Sequence, residues 1–269
     1  MSANSPNQNN FWLRTILSDR ANYIISKMEK GCCDYSTALL DAQQNWNGDS
    51  AKDYEGRDTV NLLSTLVEYC CGVKIVLSDI FCRGLAFLSP LDFEMADRFG
   101  FAIKYLGIVR TRGNTLDVRI HPTMIPQTSP LSLVSGAQFA TEWGVIGQVS
   151  PIGLIANSTG VSLEALPRFE TQKGISVANI LDLNACYYIR FTIQDSLEAV
   201  AAITKVLSNC HIGIRHLHKK GQQPGSIVPL VVVTHEANEK NMRAALKEID
   251  GMSFITQMTK IIRIDEEPT

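Results

Sequence analysis

The chain has 269 residues, of which 45% are hydrophobic and 19% charged, and its formal net charge at pH 7 is −2. This composition is typical of a globular protein with one large or two modest domains, and it excludes a fibrous or wholly disordered chain. The near-neutral charge gives no electrostatic basis for binding nucleic acid or an anionic membrane, so neither is expected as a partner. No apolar run has the length of a membrane span, since Pro229 interrupts the longest candidate, residues 227–233.

The start of the chain and its cysteines indicate the compartment. Residues 1–10 are polar and lack the basic-then-apolar order of a signal peptide, so they are predicted to be a disordered lead. The seven cysteines include no Cys-x-x-Cys spacing, and the adjacent pairs Cys32-Cys33 and Cys70-Cys71 are poorly suited to disulfides within each pair. We therefore expect buried free thiols and a reduced, cytoplasmic protein.

Helical and strand patterns alternate along the first two thirds of the chain. Apolar residues at helical spacing predict helices over residues 22–29, 35–44, 59–71 and 90–99. Apolar or alternating runs predict strands over residues 102–111, 116–121, 139–146 and 148–152. Arg112-Gly113-Asn114 is predicted to be the hairpin turn between the first two strands. His121-Pro122 is expected to begin a loop-rich passage, and helix-like pieces are expected over 158–181, before a domain boundary at Asn184.

The last third has a compact and different pattern. Its predicted order is strand, helix, strand, strand, helix, strand, over residues 186–193, 197–208, 212–219, 227–234, 238–249 and 255–264. This order over about 80 residues is the ferredoxin-like βαββαβ arrangement. His216 and His218 face the same side of one predicted strand, but without a third ligand nearby no metal site is expected. The fold class is therefore α+β, with one domain over 11–184 and a second over 185–267.

Several sequence blocks carry a family resemblance. In the larger domain they are Asn-Tyr-Ile-Ile-Ser-Lys-Met at 22–28, Asp-Tyr-Glu-Gly-Arg-Asp at 53–58, Gly-Phe-Ala-Ile-Lys-Tyr-Leu at 100–106 and Arg-Ile-His-Pro-Thr at 119–123. In this order they resemble the substrate-binding domain of homoserine dehydrogenase. The blocks at 187–191, 231–236 and 262–264 resemble the regulatory ACT domain that some of those enzymes carry. The resemblance implies a mixed sheet with helices, followed by an ACT domain, and association as a homodimer.

The resemblance also implies a chemistry and a set of site residues. The family exchanges a hydride between NAD(P) and the carbon that bears the side-chain oxygen of homoserine or aspartate semialdehyde. Asp53 and Asp58 match the acidic residues of its Asp-x-x-Gly-x-Asp block, with Asp58 at a catalytic aspartate, and Asn47 falls near the glutamate that contacts the substrate amine. The family lysine, one helical turn further on, falls on Leu62. Leucine can neither transfer a proton nor balance the charge of Asp58.

Two interpretations remain open for each candidate. Asp53 and Asp58 could hold an amine or a metal, but an aspartate before a glycine turn is equally typical of a helix or turn cap. Lys104 lies in an apolar strand, and it could pair with Asp58 across the site or extend its ammonium to the surface. Asp58 and Lys104 are accordingly the catalytic candidates, and Asp53, Asp58 and Asn47 the substrate-binding ones.

Neither a cofactor nor an amino-acid effector is expected. Only residues 1–10 precede the resemblance to the substrate domain, so no dinucleotide-binding domain and no cofactor-binding residue is predicted. The ACT ligand turn of the family reads Asp-x-Pro-Gly-Val-Leu-Ala, and here only Asp195 and Ala201 are retained, because Leu197-Glu198 replaces the Pro-Gly pair. Glu198 would repel the carboxylate of an amino acid.

Three hypotheses from different classes follow. The first is a non-catalytic, dimeric regulator or scaffold that binds a protein partner. The second is a repurposed, cofactor-independent enzyme that uses Asp53, Asp58 and Lys104 on a small amino-acid-like molecule. The third is the substrate subunit of a split dehydrogenase whose cofactor domain is a separate chain. The first is preferred, because Leu62 removes the proton-handling group.

Overall fold

The structure, a computed structural model, describes residues 10–46, 56–145, 153–157, 160–169, 171, 174–221 and 225–266, and for 153–157 the backbone alone. The chain divides into two compact units, the first up to Asn179 together with Glu266, and the second from Ile180 to Asp265. The division lies a few residues before the boundary predicted at Asn184. Asn47, Asp53 and residues 1–9 lie outside the described residues.

Four helices belong to the described part of the first unit. They are α1 (Asp19–Gly31), α2 (Tyr35–Asn45), α3 (Arg57–Cys71) and α4 (Pro90–Arg98). Their starts follow from local chemistry, since Ser18 Oγ accepts from Ala21 N at 3.1 Å and Asp34 accepts from Thr37 N at 2.8 Å. Each of the four helices predicted from apolar spacing is confirmed, to within a few residues at its ends.

The strands of the first unit form a mixed sheet. They are β1 (Phe11–Ile16), β2 (Phe81–Cys82), β3 (Phe101–Arg112), β4 (Thr115–Pro126), β5 (Phe139–Val145), β6 (Gly153–Asn157) and β7 (Ser176–Val177). The order is β6-β5-β1-β3-β4, antiparallel throughout, and the two-residue strands β2 and β7 each pair in parallel with β4. The hairpin turn predicted between β3 and β4 is confirmed.

Alternation along β3 separates two faces of this sheet. Ala102, Leu106 and Ile108 on one face belong to a buried apolar cluster with residues of β1, β4 and β5. Gly107 on the other face lies against α3, where an added Cβ would be 3.1 Å from a methyl carbon of Leu63. The face on which a β3 side chain lies therefore decides whether it can reach the start of α3.

Three expectations for this unit need correction. β1 was not predicted. The passage from His121-Pro122 is not loop-rich, because β4 continues to Pro126 with Pro122 opposite Tyr105. Pro122 is tolerated there because its missing N–H is not required by the ladder. Within the described part of residues 158–181 the structure has 3-10 turns at Leu163–Ala165 and Ile180–Asp182 and the strand β7 instead of helix-like pieces. The strand predicted over 148–152 lies outside the described residues.

The second unit has the predicted strand–helix–strand–strand–helix–strand order. Its elements are β8 (Asn184–Gln194), α5 (Leu197–Asn209), β9 (Ile214–Lys219), β10 (Ile227–Thr234), β11 (Ala237–Asn238), α6 (Glu239–Asp250) and β12 (Ile255–Ile264). The strands run in the order β12-β8-β10-β9, all antiparallel, which is the ferredoxin-like arrangement. Both helices pack on one face, where Phe191, Ile203 and Met242 belong to a single apolar core.

Candidate functional site

The start of α3 carries the first candidate, Asp58. Gly56 caps this helix in the left-handed region with φ +86°, and Asp58 lies in the first helical turn with an exposed side chain. A carboxylate at this position is stabilised by the partial positive charge of the helix N-terminus. The position is therefore compatible with the helix-start interpretation of Asp58 as well as with a ligand role.

Gly56 is the point at which this turn meets the sheet. A Cβ at Gly56 would lie 2.6 Å from Cys82 Sγ and would collide with Tyr105 Oη as well. Tyr105 is buried, and burial raises the pKa of its phenol well above the ordinary value of 10.0. Tyr105 and Cys82 thus form a close-packed neutral surface beneath the turn, which only glycine can approach.

Leu62 lies one helical turn after Asp58. Its side chain is 50% exposed, whereas its neighbour Leu63 is fully buried against the sheet. An exposed alkyl side chain at this position can neither accept a proton nor offer a positive charge to Asp58. The resemblance implies the family lysine at this position, and the structure has the partly exposed alkyl side chain of Leu62 there instead.

Lys104 lies away from this turn. Tyr105 faces Gly56, so its neighbour Lys104 points to the opposite face of β3, where its Nζ donates to Val134 O at 2.8 Å and its side chain is fully buried. Burial lowers the pKa of Lys104, and nearby Glu29 partly counteracts this effect. The expected pairing of Lys104 with Asp58 is therefore wrong. Surface exposure of the ammonium, the other interpretation, is wrong as well.

The first unit also contains a buried ion pair that the sequence analysis does not predict. Arg14 of β1 and Glu142 of β5 are opposite one another in the register, with Nη2 to Oε1 at 2.6 Å and both side chains fully buried. Ser129 Oγ donates to Glu142 Oε1 at 3.3 Å. The sequence does carry an indication of this pair, because Arg14 and Glu142 each stand in a mostly apolar strand, as Lys104 does. Such charges are tolerated when paired and hydrogen-bonded.

The turn before α5 carries the candidates of the second unit. Asp195 is buried, and both of its carboxylate oxygens accept from Lys219 Nζ, at 2.8 and 3.0 Å. Ser196 caps the helix, with its Oγ accepting from Ala199 N at 3.0 Å. Ala201 is exposed on α5, so the structure does not gather Asp195 and Ala201 around one concavity.

The cysteines and possible metal ligands were also located. All seven cysteines are free, as predicted, and burial raises the pKa of Cys70 to about 11 and that of Cys71 to about 12. The expectation of buried thiols holds for Cys70 and Cys71 alone among the seven, because Cys32 is exposed and the other four cysteines are partly exposed. Within the described ranges no three His, Cys, Asp or Glu side chains are grouped as metal ligands, and no helix there is long and apolar enough to span a membrane.

Comparison of the sequence with protein-family models shows which family the chain belongs to. The sequence model of the homoserine dehydrogenase family matches residues 7–145, which is more than half of the chain. The chain belongs to the homoserine dehydrogenase family. The match covers β1 to β5, and so includes Gly56, Asp58, Leu62 and Lys104.

Individual homoserine dehydrogenases extend the similarity over both units. The enzyme of Helicobacter pylori is 26% identical over 268 residues, and that of Synechocystis 28% over 279 residues; each alignment covers 93% of this chain. The homoserine dehydrogenase of Pseudomonas aeruginosa is 24% identical, over 99% of this chain. The chain spans 64% of the length of the first two relatives.

Solved structures agree on the fold. A homoserine dehydrogenase from Thiobacillus denitrificans superposes with a TM-score of 0.83 at 23% identity, covering 96% of this chain and 64% of that one. The homoserine dehydrogenase of S. aureus, at pH 7.5, gives a TM-score of 0.68 at 19% identity. The α+β architecture of the described elements is therefore that of homoserine dehydrogenases.

Proposed function

We propose that this chain is a homoserine-dehydrogenase-like protein that does not carry out hydride transfer by itself and acts as a dimeric regulator or scaffold in amino-acid metabolism. The observation that carries the proposal is Leu62, half-exposed one turn after Asp58 on α3. Asp58 alone can hold a charge, but it has no neighbouring ammonium on this helix face to relay a proton. The buried ammonium of Lys104 points to the other side of the sheet and is bonded to Val134.

The described residues do not fit a dinucleotide. Dinucleotide sites are built at the carboxyl ends of parallel strands, where a glycine-rich turn leads into a helix. In the described part of the first unit the main sheet is antiparallel, and its two parallel pairings involve strands of two residues each. No step through NAD(P) is therefore assigned to these residues.

The second unit supports a structural rather than a sensing role for its ACT-like turn. A sensing turn needs free donors at the start of the helix for the carboxylate of an amino acid. Here Ser196 occupies the Ala199 N–H, Glu198 adds a negative charge to the same turn, and Lys219 neutralises Asp195. We therefore assign to this unit an ACT-type fold that serves in association, as a homodimer or with another protein. Seven free thiols are what we expect of a cytoplasmic protein.

A second candidate is the substrate-binding part of an active dehydrogenase. It is favoured by the relatives, since the proteins similar over most of this chain are named homoserine dehydrogenases. In this case a nucleotide-binding part supplied elsewhere would complete the site, and Asp58 would orient the substrate. A cofactor-independent reaction that uses Asp53, Asp58 and Lys104 is not favoured, because the Lys104 ammonium is buried against Val134, whereas Asp58 is exposed at the start of α3; Asp53 lies outside the described residues.

The proposal is tested by assaying the purified protein with homoserine and NAD⁺ or NADP⁺, following formation of the reduced nicotinamide. We expect no turnover above buffer, while a homoserine dehydrogenase assayed alongside is active. Because the second candidate needs a nucleotide-binding part from elsewhere, the assay is repeated with such a part added. Turnover that then appears, is lost in Asp58→Asn and is retained in Glu248→Gln, an exposed change on α6, would establish the second candidate and overturn the first.

The variant Leu62→Lys separates a missing lysine from a missing binding site. If a nucleotide-binding part is supplied separately, restoring the lysine beside Asp58 should raise turnover, whereas Leu40→Lys, at another exposed leucine, should not. Dimerisation is measured by light scattering, with an expected mass twice that of the 29.7 kDa chain. A monomer at all concentrations would remove the dimeric part of the proposal.

A further inference from the structure

A groove in the first unit lies between the C-terminal ends of two helices and the start of β3. Its volume is about 430 Å³, within the range of small-molecule sites. It is defined by Glu29 and Cys32 at the end of α1, Glu94 and Asp97 on α4, and Phe93 and Phe101 at its floor. We propose that this groove binds a small organic cation with an apolar body, such as an aralkyl amine. The proposal is independent of the function proposed above.

The floor of the groove is rigid and apolar. Phe93 and Phe101 present part of their surface, 7% and 6%, whereas Met28 and Ile103 are fully buried and support the floor without offering contact surface themselves. These residues belong to α1, α4 and β3, so the floor is built on packed elements rather than on loops. Such a surface can receive an apolar body without first being ordered, which reduces the cost of binding.

The charges of the groove have one sign. Glu29, Glu94 and Asp97 all line it, and none of its described lining residues is Lys, Arg or His. Asp97 accepts a hydrogen bond from Gln127 Nε2 at 2.9 Å, which holds the carboxylate beside the groove without neutralising it. The groove is therefore bordered by carboxylates of two different helices, each able to accept from an ammonium group.

The helix ends add an independent indication of a cation. Glu29 lies in the last turn of α1, and Asp97 lies in the last turn of α4. Each helix carries partial negative charge at its C-terminus, so an acidic residue there is unfavourable and a cation is stabilised. Lys30 and Arg98 stand in the same turns, but neither lines the groove. A bound ammonium would thus relieve two unfavourable charge placements at once.

Glu29 also has a role inside the protein, because its charge favours the protonated form of the buried Lys104. A test must therefore separate loss of binding from loss of fold. Cys32 provides a direct reporter, since its thiol is exposed and lines the groove. A bound ligand should slow its alkylation, and peptide mapping distinguishes Cys32 from the neighbouring Cys33.

The experiment titrates the full chain with phenethylammonium chloride, using calorimetry and the rate of maleimide labelling at Cys32. We expect saturable binding with a Kd on the order of 1–10 mM, as for a small unoptimised ligand, and protection of Cys32. The neutral isostere 2-phenylethanol should neither bind nor protect. Glu29→Gln and Asp97→Asn should each weaken binding about tenfold, as for a lost charge-assisted hydrogen bond, and Glu248→Gln should not.

Thermal unfolding of each variant shows whether it is folded, and the comparison of charged with neutral ligand in the unaltered chain does not depend on any variant. Equal binding of phenethylammonium and 2-phenylethanol, or an unchanged Kd in Glu29→Gln and Asp97→Asn, would overturn the proposal. Absence of saturation would overturn it as well. Binding of a basic peptide without binding of the monoamine would replace the small cation by a protein segment, and would equally contradict it.

Discussion

Lys104 Nζ donates a hydrogen bond of 2.8 Å to the carbonyl oxygen of Val134, and the side chain of Lys104 is fully buried. Val134 belongs to the same apolar cluster as Ala102 and Leu106, the flanking residues of β3 on that face. The hydrogen bond between Lys104 and Val134 connects the segment that follows Pro130–Leu133 to the sheet. Two further hydrogen bonds connect Gly136, two residues after Val134, to α1, since Gly136 N donates to Ser26 Oγ and Asn22 Nδ2 donates to Gly136 O.

This contact predicts a pH dependence. Burial lowers the pKa of Lys104 below its ordinary value of 10.5, so between the folded and unfolded pKa values the unfolded chain binds more protons. The penalty for burying the charge is therefore fully present below the folded pKa, and it disappears as the pH rises towards 10.5. The free energy of unfolding of the wild type, minus that of Lys104→Met, should increase between pH 7 and 10.

Denaturant unfolding at several pH values measures this difference, because other groups titrate alike in both proteins. Lys74→Met, at a lysine whose side chain is 85% exposed, is the matched control and should give a flat difference. A flat line for Lys104→Met as well would show that its ammonium titrates in the folded protein as it does in the unfolded chain.

Gly56 predicts a second, purely steric effect. Gly56→Ala requires φ +86° from an L-residue and brings its Cβ against Cys82 Sγ. Gly72→Ala, with φ +67° and nothing within 4 Å, has the backbone penalty alone. We expect each to cost about 1 kcal/mol or more for the backbone and Gly56→Ala to cost about 1–3 kcal/mol beyond that, measured by chemical unfolding. Equal losses of stability in the two variants would mean that Tyr105 and Cys82 move aside without a measurable free-energy cost.

The Arg14–Glu142 pair predicts strong non-additivity. Arg14→Met leaves the Glu142 carboxylate buried without its cation and should cost about 3–5 kcal/mol. Adding Glu142→Gln should recover part of that loss, because no uncompensated charge remains. A double-mutant cycle by urea unfolding gives the coupling. The pair Lys27–Asp41, with side chains 44% and 32% exposed, is the control and should show little coupling. Strict additivity at Arg14 and Glu142 would contradict the expectation.

Glu239 predicts acid sensitivity of the second unit. Burial by itself raises its pKa, but Arg263 at 3.0 Å, together with bonds from Tyr187 and Arg243, lowers it overall below 4.5. A depressed folded pKa stabilises the fold above about pH 4.5, and this stabilisation is lost as the pH falls through the folded pKa. Glu239→Gln should therefore destabilise the protein near pH 7 and should lose part of this acid sensitivity.

Circular dichroism between pH 7 and 3 follows this transition. Glu248→Gln, an exposed glutamate on the same helix, should leave the profile unchanged. An unchanged profile in Glu239→Gln would mean that other carboxylates of the chain set its acid stability.

The sequence predicted local structure well where periodicity and side-chain chemistry act within a few residues. Helices α1 to α4 and the whole βαββαβ order of the second unit follow from apolar spacing and from turns at glycine. The sequence pattern does not predict β1, because Arg14 and Thr15 interrupt the apolar run of Phe11–Ile16 without producing an alternating pattern. The pattern ends β4 too early, because proline is typical of a strand end, whereas β4 continues through Pro122 to Pro126.

What the sequence determined by itself is the family and the order of elements, because each depends on residue identity and local spacing. What only the tertiary structure decided is which side chains meet. The pairing of Lys104 with Val134 rather than Asp58, of Arg14 with Glu142 and of Asp195 with Lys219 depends on strand register and on the face to which each side chain points. A difference of one residue along a strand reverses that face, so Lys104 and Tyr105 lie on opposite sides of β3.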